Sequence, residues 1–317
     1  MFAMLGGAAG AWGGLAQTLS LQAAAGLEVV TDGRETLPAG AAAASLADDL
    51  LAGRGLGSVD AWSTTVAASP TPAVAVAAAL PGPFSLARRL ASEPAAEADA
   101  RLAGALAAAL AVEIGALGAA GCPLVRVDEP DALAAAEEDA ARALFAEAHR
   151  SLVAGAASDV ASVHLMLALT GGDHEGIGAD LLADLGYASY LFDLIAGPND
   201  WRLVTRIPGD RGIVCGVVDA ATRAGDAPEV LVWAAHYAAS TRGRGIARVG
   251  LATTGSLAGL EREAGQAKMR ALGEGARIAA LPGDEIRASI DPRALDMRSA
   301  ALGSWSPDPR FARRPPR

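Results

Sequence analysis

Asp128, Glu129, His164, Asp193 and Asp219 are the side chains whose types and placement could do acid–base chemistry in this sequence. Each stands at or near an apolar run short enough to be a strand, and strand ends are where barrel proteins keep their chemistry. An imidazole titrates near pH ~6.5, so it gives or takes a proton at neutrality. Crowded carboxylates raise its pKa and one another's. His164, Asp193 and Asp219 would then form a catalytic set for general acid–base work without a metal. The plainer readings stay open. An Asp or Thr after a strand also caps the next helix, and His164 could be a core histidine bonded to Asp193. His149, His174 and His236 fall in helix or loop segments and receive no role.

Glycine-rich loops follow two of these runs. The segment Thr170-Gly-Gly-Asp-His-Glu-Gly-Ile-Gly178 permits close approach of backbone to a ligand. The segment Ala196-Gly-Pro-Asn-Asp-Trp201-Arg202 brings an aromatic and a guanidinium near the same rim. Trp201 and Arg202 could sandwich a flat ring such as a pteridine, or Trp201 begins the core face of the next helix. Lys268 is the sole lysine, so a Schiff base would have one candidate.

These residues need elements to position them. Strands are expected over residues 1–5, 27–31, 73–80, 124–127, 162–167, 188–192, 212–218 and 247–251. Ala-rich stretches at 97–118, 132–155 and 228–241 have helical length and composition. Strand–helix alternation over some 280 residues predicts a parallel sheet with helices outside. Eight strands spaced by roughly 35 residues fit a (β/α)₈ barrel. A doubly wound sheet would need a glycine-rich phosphate turn after its first strand, and Gly6-Gly7-Ala8-Ala9-Gly10 matches that poorly.

Composition narrows the classes. Of the 317 residues, 52% are hydrophobic and 20% charged, which excludes a disordered chain. Net charge is −10 and the isoelectric point near 4.9, which argues against nucleic acid or an anionic membrane as partner. Residues 102–121 are apolar enough to resemble a membrane span, but alanine is weakly apolar and a water-soluble helix is expected. Cys122 and Cys215 are too few for a disulfide framework and suit a reducing cytoplasm. From Leu281 the alternation stops, and prolines break helix and strand alike. Residues 281–317 are expected to be a tail that packs on the barrel, reaches a partner protein or a second copy, or is disordered.

Read in order, several motifs carry a resemblance: Asp32-Gly33 after the second strand, Pro81-Gly82-Pro83-Phe84 after the third, Asp128-Glu129-Pro130 after the fourth, His164-Leu-Met166, Cys215-Gly-Val-Val-Asp219, and Gly255-Ser256-Leu257. Together they resemble the catalytic barrel of cobalamin-independent methionine synthase, in the superfamily that also holds uroporphyrinogen decarboxylase. The resemblance spans about residues 1–280 and implies one barrel there.

The resemblance implies a zinc site of His-x-Cys, Glu and Cys, with the metal holding a substrate thiolate. The matching positions here are His164, Met166, Asp193 and Thr254. A thioether and a hydroxyl are poor zinc ligands, so no zinc is expected. Cys215 could swing in as a ligand, or is a buried structural cysteine. By the same resemblance Asp128, with Glu129 beside it, holds a substrate ammonium. The family's Gly-Ser-x-Pro turn after strand one is replaced by Gly6–Gly10. Its Asp-Gly-Glu after strand two is replaced by Asp32-Gly33-Arg34. Arg34 would favour an anionic group on the ligand, or would pair with Glu35 or Asp128 and restore neutrality. Three functions follow as expectations: a methyl- or alkyl-group transferase without the thiolate zinc site, with a folate or pteridine co-substrate in view; a non-catalytic binding protein or partner subunit; and a decarboxylase. The last would need an early arginine cluster, and no arginine precedes Arg34.

Overall fold

The computed structural model describes residues 1–10, 12–90, 96–157 and 163–290. Its strands are β1 (Phe2–Met4), β2 (Val29–Val30), β3 (Ala75–Val76), β4 (Ala78–Pro81), β5 (Leu124–Glu129), β6 (His164–Leu169), β7 (Ser189–Asp193), β8 (Gly212–Val218) and β9 (Val249–Thr253). Between them run α1 (Leu15–Ala24), α2 (Ala41–Leu51), α3 (Ser58–Ala68), α4 (Pro83–Leu90), α5 (Ala96–Ala119), α6 (Leu133–Glu137), α7 (Asp139–Ala157), α8 (Ala179–Asp184), α9 (Trp201–Arg206), α10 (Pro228–Ser240), α11 (Arg262–Ala279) and α12 (Gly283–Ser289).

Seven strands form one parallel sheet in the order β4-β5-β6-β7-β8-β9-β1, curled as a half-barrel. A second parallel pair, β2-β3, continues from it, because β3 and β4 are one run parted at Ala77. The amide of Ala3 in β1 donates to Glu28 Oε2 at 2.8 Å, just ahead of β2.

Both faces of the sheet are apolar, as parallel strands covered by helices require. Val125, Val127, Leu165, Leu167, Tyr190 and Phe192 point outward into the helical layer. Met4, Val29, Ala77, Leu124, Met166, Ala168, Leu191, Val214 and Ala252 face inward as a separate cluster. Each fully buried Leu or Met contributes roughly 1.5–3 kcal/mol, so the inner layer alone is a substantial part of what holds the curl.

The strand expected at 27–31 shortens to Val29–Val30 for a local reason. The buried carboxamide of Gln22, on α1, takes both backbone groups of Thr31: Thr31 N donates to Gln22 Oε1 at 3.1 Å, and Gln22 Nε2 donates to Thr31 O at 2.7 Å. Gln22 thus holds the β1-facing edge of the chain at Thr31, and the chain after Val30 turns toward β1, with Ala9 N donating to Gly33 O.

The expected strand at 162–167 also changes bounds. Residue 162 lies outside the described residues, and β6 runs from His164 to Leu169, in register with Leu124 to Glu129 of β5. The apolar window at 102–121 falls in α5, whose stretch Ala100–Ala119 is long and apolar enough to cross a membrane. Here Leu106, Leu110, Ile114 and Leu117 are buried and the helix packs on α7. The tail expected from Leu281 begins with structure: Pro282 precedes the short helix α12, and Ile286 is buried. Residues 291–317 lie outside the described residues.

Candidate functional site

The carboxyl end of the sheet is organised by an arginine the sequence reading passed over. Leu124, Arg126 and Asp128 share the inner face of β5, since side chains alternate along a strand. Arg126 is 1% exposed, and a buried guanidinium needs partners. Its Nε donates to Asp128 Oδ1 at 2.6 Å and Nη2 to Asp128 Oδ2 at 3.0 Å. Nη1 reaches the Leu5 carbonyl, beyond β1, at 2.5 Å. Thr36 Oγ1 completes the arrangement by donating to Asp128 Oδ2 at 2.7 Å. Asp128 is therefore charge-paired before any ligand arrives, and the guanidinium bridges β5 to the end of β1.

Glu129 faces the other way, and the expectation that it binds substrate is corrected. It is fully buried between β5 and the helices. Its carboxylate accepts from Phe84 N at 3.0 Å and Ser85 N at 2.7 Å, capping the start of α4. His149 Nε2 lies 2.9 Å from Glu129 Oε1, and His149 Nδ1 is bonded to the Tyr187 hydroxyl at 2.7 Å. Gly82 is required here: a Cβ at that position would stand 2.0 Å from the Glu129 carboxyl carbon.

His164 is not brought to this end. It opens β6, level with Leu124, so about five strand steps of ~3.3 Å separate it from Leu169 at the carboxyl edge. It is exposed, and its Nε2 is 2.7 Å from Ser189 Oγ, at the start of β7. The protein packed around the ring lowers its pKa. The acid–base set of His164 with Asp193 and Asp219 is therefore divided between the two ends of the sheet.

Asp193 does lie at the carboxyl end, on the inner face of β7. Oδ1 accepts from Ile195 N (3.1 Å) and Ala196 N (2.9 Å), and Oδ2 from Gly171 N (3.4 Å). Burial raises its pKa, and those three amides and His174 hold it back in part. Asp219 follows β8 and is satisfied locally by Ala221 N (2.8 Å) and the Thr222 hydroxyl (2.6 Å).

The degenerate zinc positions do not converge. Met166 is buried in the inner apolar cluster. Thr254 Oγ1 accepts from Ala220 N at 2.9 Å. Among the described residues no three His, Cys, Asp or Glu side chains gather as a metal-binding group. Cys215 points to α10, with Sγ 3.9 Å from Ala234 O, and burial pushes its thiol up to about 12. His164, Met166, Asp193 and Thr254 thus do not fit zinc.

Trp201 and Arg202 are corrected too. Trp201 packs edge-on against Trp233 (5.1 Å) and Tyr237 (5.3 Å) of α10, in the outer layer. Arg202 pairs with Glu175 at 2.7 Å. Neither side chain lines the two cavities of this end. Lys268 is buried, donating to Ala224 O at 2.6 Å and standing 2.9 Å from Asp226 Oδ2, which fastens the loop after β8 to α11.

Two cavities flank the loop after β2. One, of about 370 Å³, is lined by Ala8, Gly10, Asp32, Arg34, Glu35 and Ala258, among others. It joins the glycine turn after β1 to Arg34, two features the sequence singled out separately. Helix α1 begins at its wall, with Gly14 as an N-cap that supplies no side-chain bond and no acidic residue in the first turn. Its first amides and its dipole favour an anion there. Arg34 is 64% exposed and sits 3.1 Å from Asp32, the partner it takes in place of Glu35 or Asp128. The second cavity, of about 200 Å³, lies on the other side of the loop, against β4 and α3.

No protein-family model and no curated protein matches the chain by sequence. Solved structures do match. A B12-independent methionine synthase from Shewanella sp. W3-18-1, in complex with selenomethionine, superposes with a TM-score of 0.69 over 86% of this chain and 88% of that one, at 16% identity. A methyltransferase from Methanosarcina mazei gives 0.54 over 82% and 84%, at 14% identity. The chain has their fold. Identity this low speaks for the fold alone.

Besides Arg126, the sequence reading missed a clamp between the loops after β6 and β7. Asp173 takes Asn199 N and Nδ2, both at 2.7 Å. Next to it, His174 N donates to Asp200 Oδ1 at 2.6 Å, and His174 Nδ1 is 2.9 Å from Asp200 Oδ2. Consecutive residues on each loop meet in order, which no local pattern announces. Arg126 did carry a signal, because two residues apart on a strand means one face.

Proposed function

We propose that this chain is a divergent methyl- or alkyl-group transferase, a single (β/α)₈ barrel over about residues 1–280. It takes the anionic group of a small substrate in the cavity between the Ala8–Gly10 turn and Arg34. The observation that carries this reading is that cavity. It lies at the carboxyl ends of β1 and β2, where barrel enzymes keep their sites. It offers a guanidinium and the amide end of α1 to one anion, beside the carboxylates of Glu35 and of Asp32, from which the anion must draw Arg34. Asp128 is already held by Arg126, which argues against a substrate ammonium there. Asp193, whose pKa burial raises, is the acid of this end that could supply a proton. The cytoplasm suits two buried free thiols.

A second reading has its own support. Asp32, Asp193 and Asp219 are each bonded to their own following backbone amides, as structural caps are. A binding barrel that transfers nothing would look the same. A transfer assay separates the two. Chelator-treated protein is mixed with ¹³C-methyl-labelled tetrahydropteridines and a set of small carboxylate and phosphate acceptors, and the label is followed by NMR. Catalytic appearance of a new methyl resonance supports the transferase. Saturable binding of an acceptor without transfer supports the binding barrel.

A further inference from the structure

The seam between β2 and β4 holds a second site, across the Asp32–Arg34–Glu35 loop from the mouth cavity. Ala77 N donates to Val30 O on the β2 side, whereas Gly82 N donates to Asp128 O on the β5 side. Backbone groups alternate in direction along a parallel strand, so the N–H and C=O of Ala79 face the β2 side. There β2 has ended: Asp32 would be the next residue to pair on this side, but the chain has turned toward β1, with Ala9 N donating to Gly33 O. Pro81, next on that side, has no N–H, as suits an edge. The space left is the cavity of about 200 Å³, lined by Ala79, Trp62, Ala61, Leu56, Thr36 and Arg34 among others.

The opposite edge of β2, the one that faces β1, shows how one carboxamide satisfies both backbone groups of a strand residue. Gln22 satisfies the N–H and C=O of Thr31 with one carboxamide, accepting through Oε1 and donating through Nε2. We infer that the seam cavity binds a small carboxamide or lactam, whose C=O accepts from Ala79 N–H and whose N–H donates to Ala79 C=O. Trp62 gives the body of the ligand an aromatic wall, and its own indole N–H is occupied by Val76 O at 2.9 Å. The volume suits a single ring. An amide whose nitrogen carries no hydrogen makes only one of the two bonds.

The test is a titration of ¹⁵N-labelled full-length protein with benzamide and with 2-pyridone, with N,N-dimethylbenzamide as the control lacking the donor. Saturable shifts at the Ala79 amide are expected with the first two, and about tenfold weaker binding of the control, the usual worth of one hydrogen bond. Ala79→Pro removes a donor that the β4–β5 ladder does not use, and should weaken benzamide by a similar factor. If that variant does not fold, Ala61→Leu fills the cavity and should give the same loss. Absence of a saturable shift at Ala79 with either probe, equal binding of N,N-dimethylbenzamide, or binding that survives the folded variant overturns the inference. So does a response confined to Ala8 and Gly10.

Discussion

Arg126 grips both carboxylate oxygens of Asp128 from two residues away on the same strand, at 2.6 and 3.0 Å. The pair sits on the inner face, with the arginine buried and the aspartate 13% exposed. This makes the centre of the carboxyl end a neutral, prebuilt unit, and leaves Arg34, paired at the surface with Asp32, as the guanidinium of the mouth.

Breaking that unit should be expensive. Arg126→Met leaves Asp128 without its counter-charge and frees the Leu5 carbonyl. A loss of about 3 kcal/mol is expected, the low end for a broken buried pair because Asp128 reaches some solvent. Urea unfolding of the variant measures it. Removing both charges, as Arg126→Met with Asp128→Leu, should recover most of the loss. A double variant as unstable as the single would mean that packing, not charge, sets the cost.

Glu129 should act on stability and leave the mouth alone. Glu129→Gln keeps the shape but halves the acceptors facing Phe84 N and Ser85 N, at a cost of about 1–3 kcal/mol. Ligand affinity at the mouth should not change. Gly82→Ala should destabilise by a comparable amount, since its Cβ has no room beside the same carboxylate.

Asp193 sets a pH dependence with a definite sign. Burial raises its folded pKa above the unfolded value, so its protonated form is favoured in the folded state. Its contribution to stability is complete below the unfolded pKa, near ~3.9, and is lost as pH rises through the folded pKa. Asp193→Asn keeps an acceptor for Ile195 and Ala196 but cannot ionise. The variant should be more stable than wild type at pH 7, and the two should converge as pH falls toward 3. Parallel stability–pH curves would contradict the shift.

Much of the fold was legible, and the failures have local causes. The β-branched run at 212–218 and the alternation at 124–129 announce strands wherever they sit. The apolar run holding His164 does not say which of its ends is the carboxyl rim. The pairing of His164 with Leu124 decides that, and the pairing partner lies 40 residues away. Asp128 and Glu129 are adjacent in sequence and therefore face opposite sides of the sheet, a consequence of strand period that treating them as one motif concealed. The mouth cavity joins Gly10, Arg34 and Ala258, and only the closed tertiary arrangement brings those together.

Turnover of two substituted proteins in the labelled-methyl assay tests the central claim most directly. Arg34→Met removes the exposed guanidinium of the mouth and should lower kcat/KM for an anionic acceptor about tenfold, the range of one charge-assisted hydrogen bond, with unfolding unchanged. His164→Asn alters the opposite end of the sheet and should turn over as wild type does. A loss of activity in His164→Asn with Arg34→Met unaffected would contradict the account and return the chemistry to the amino end of β6.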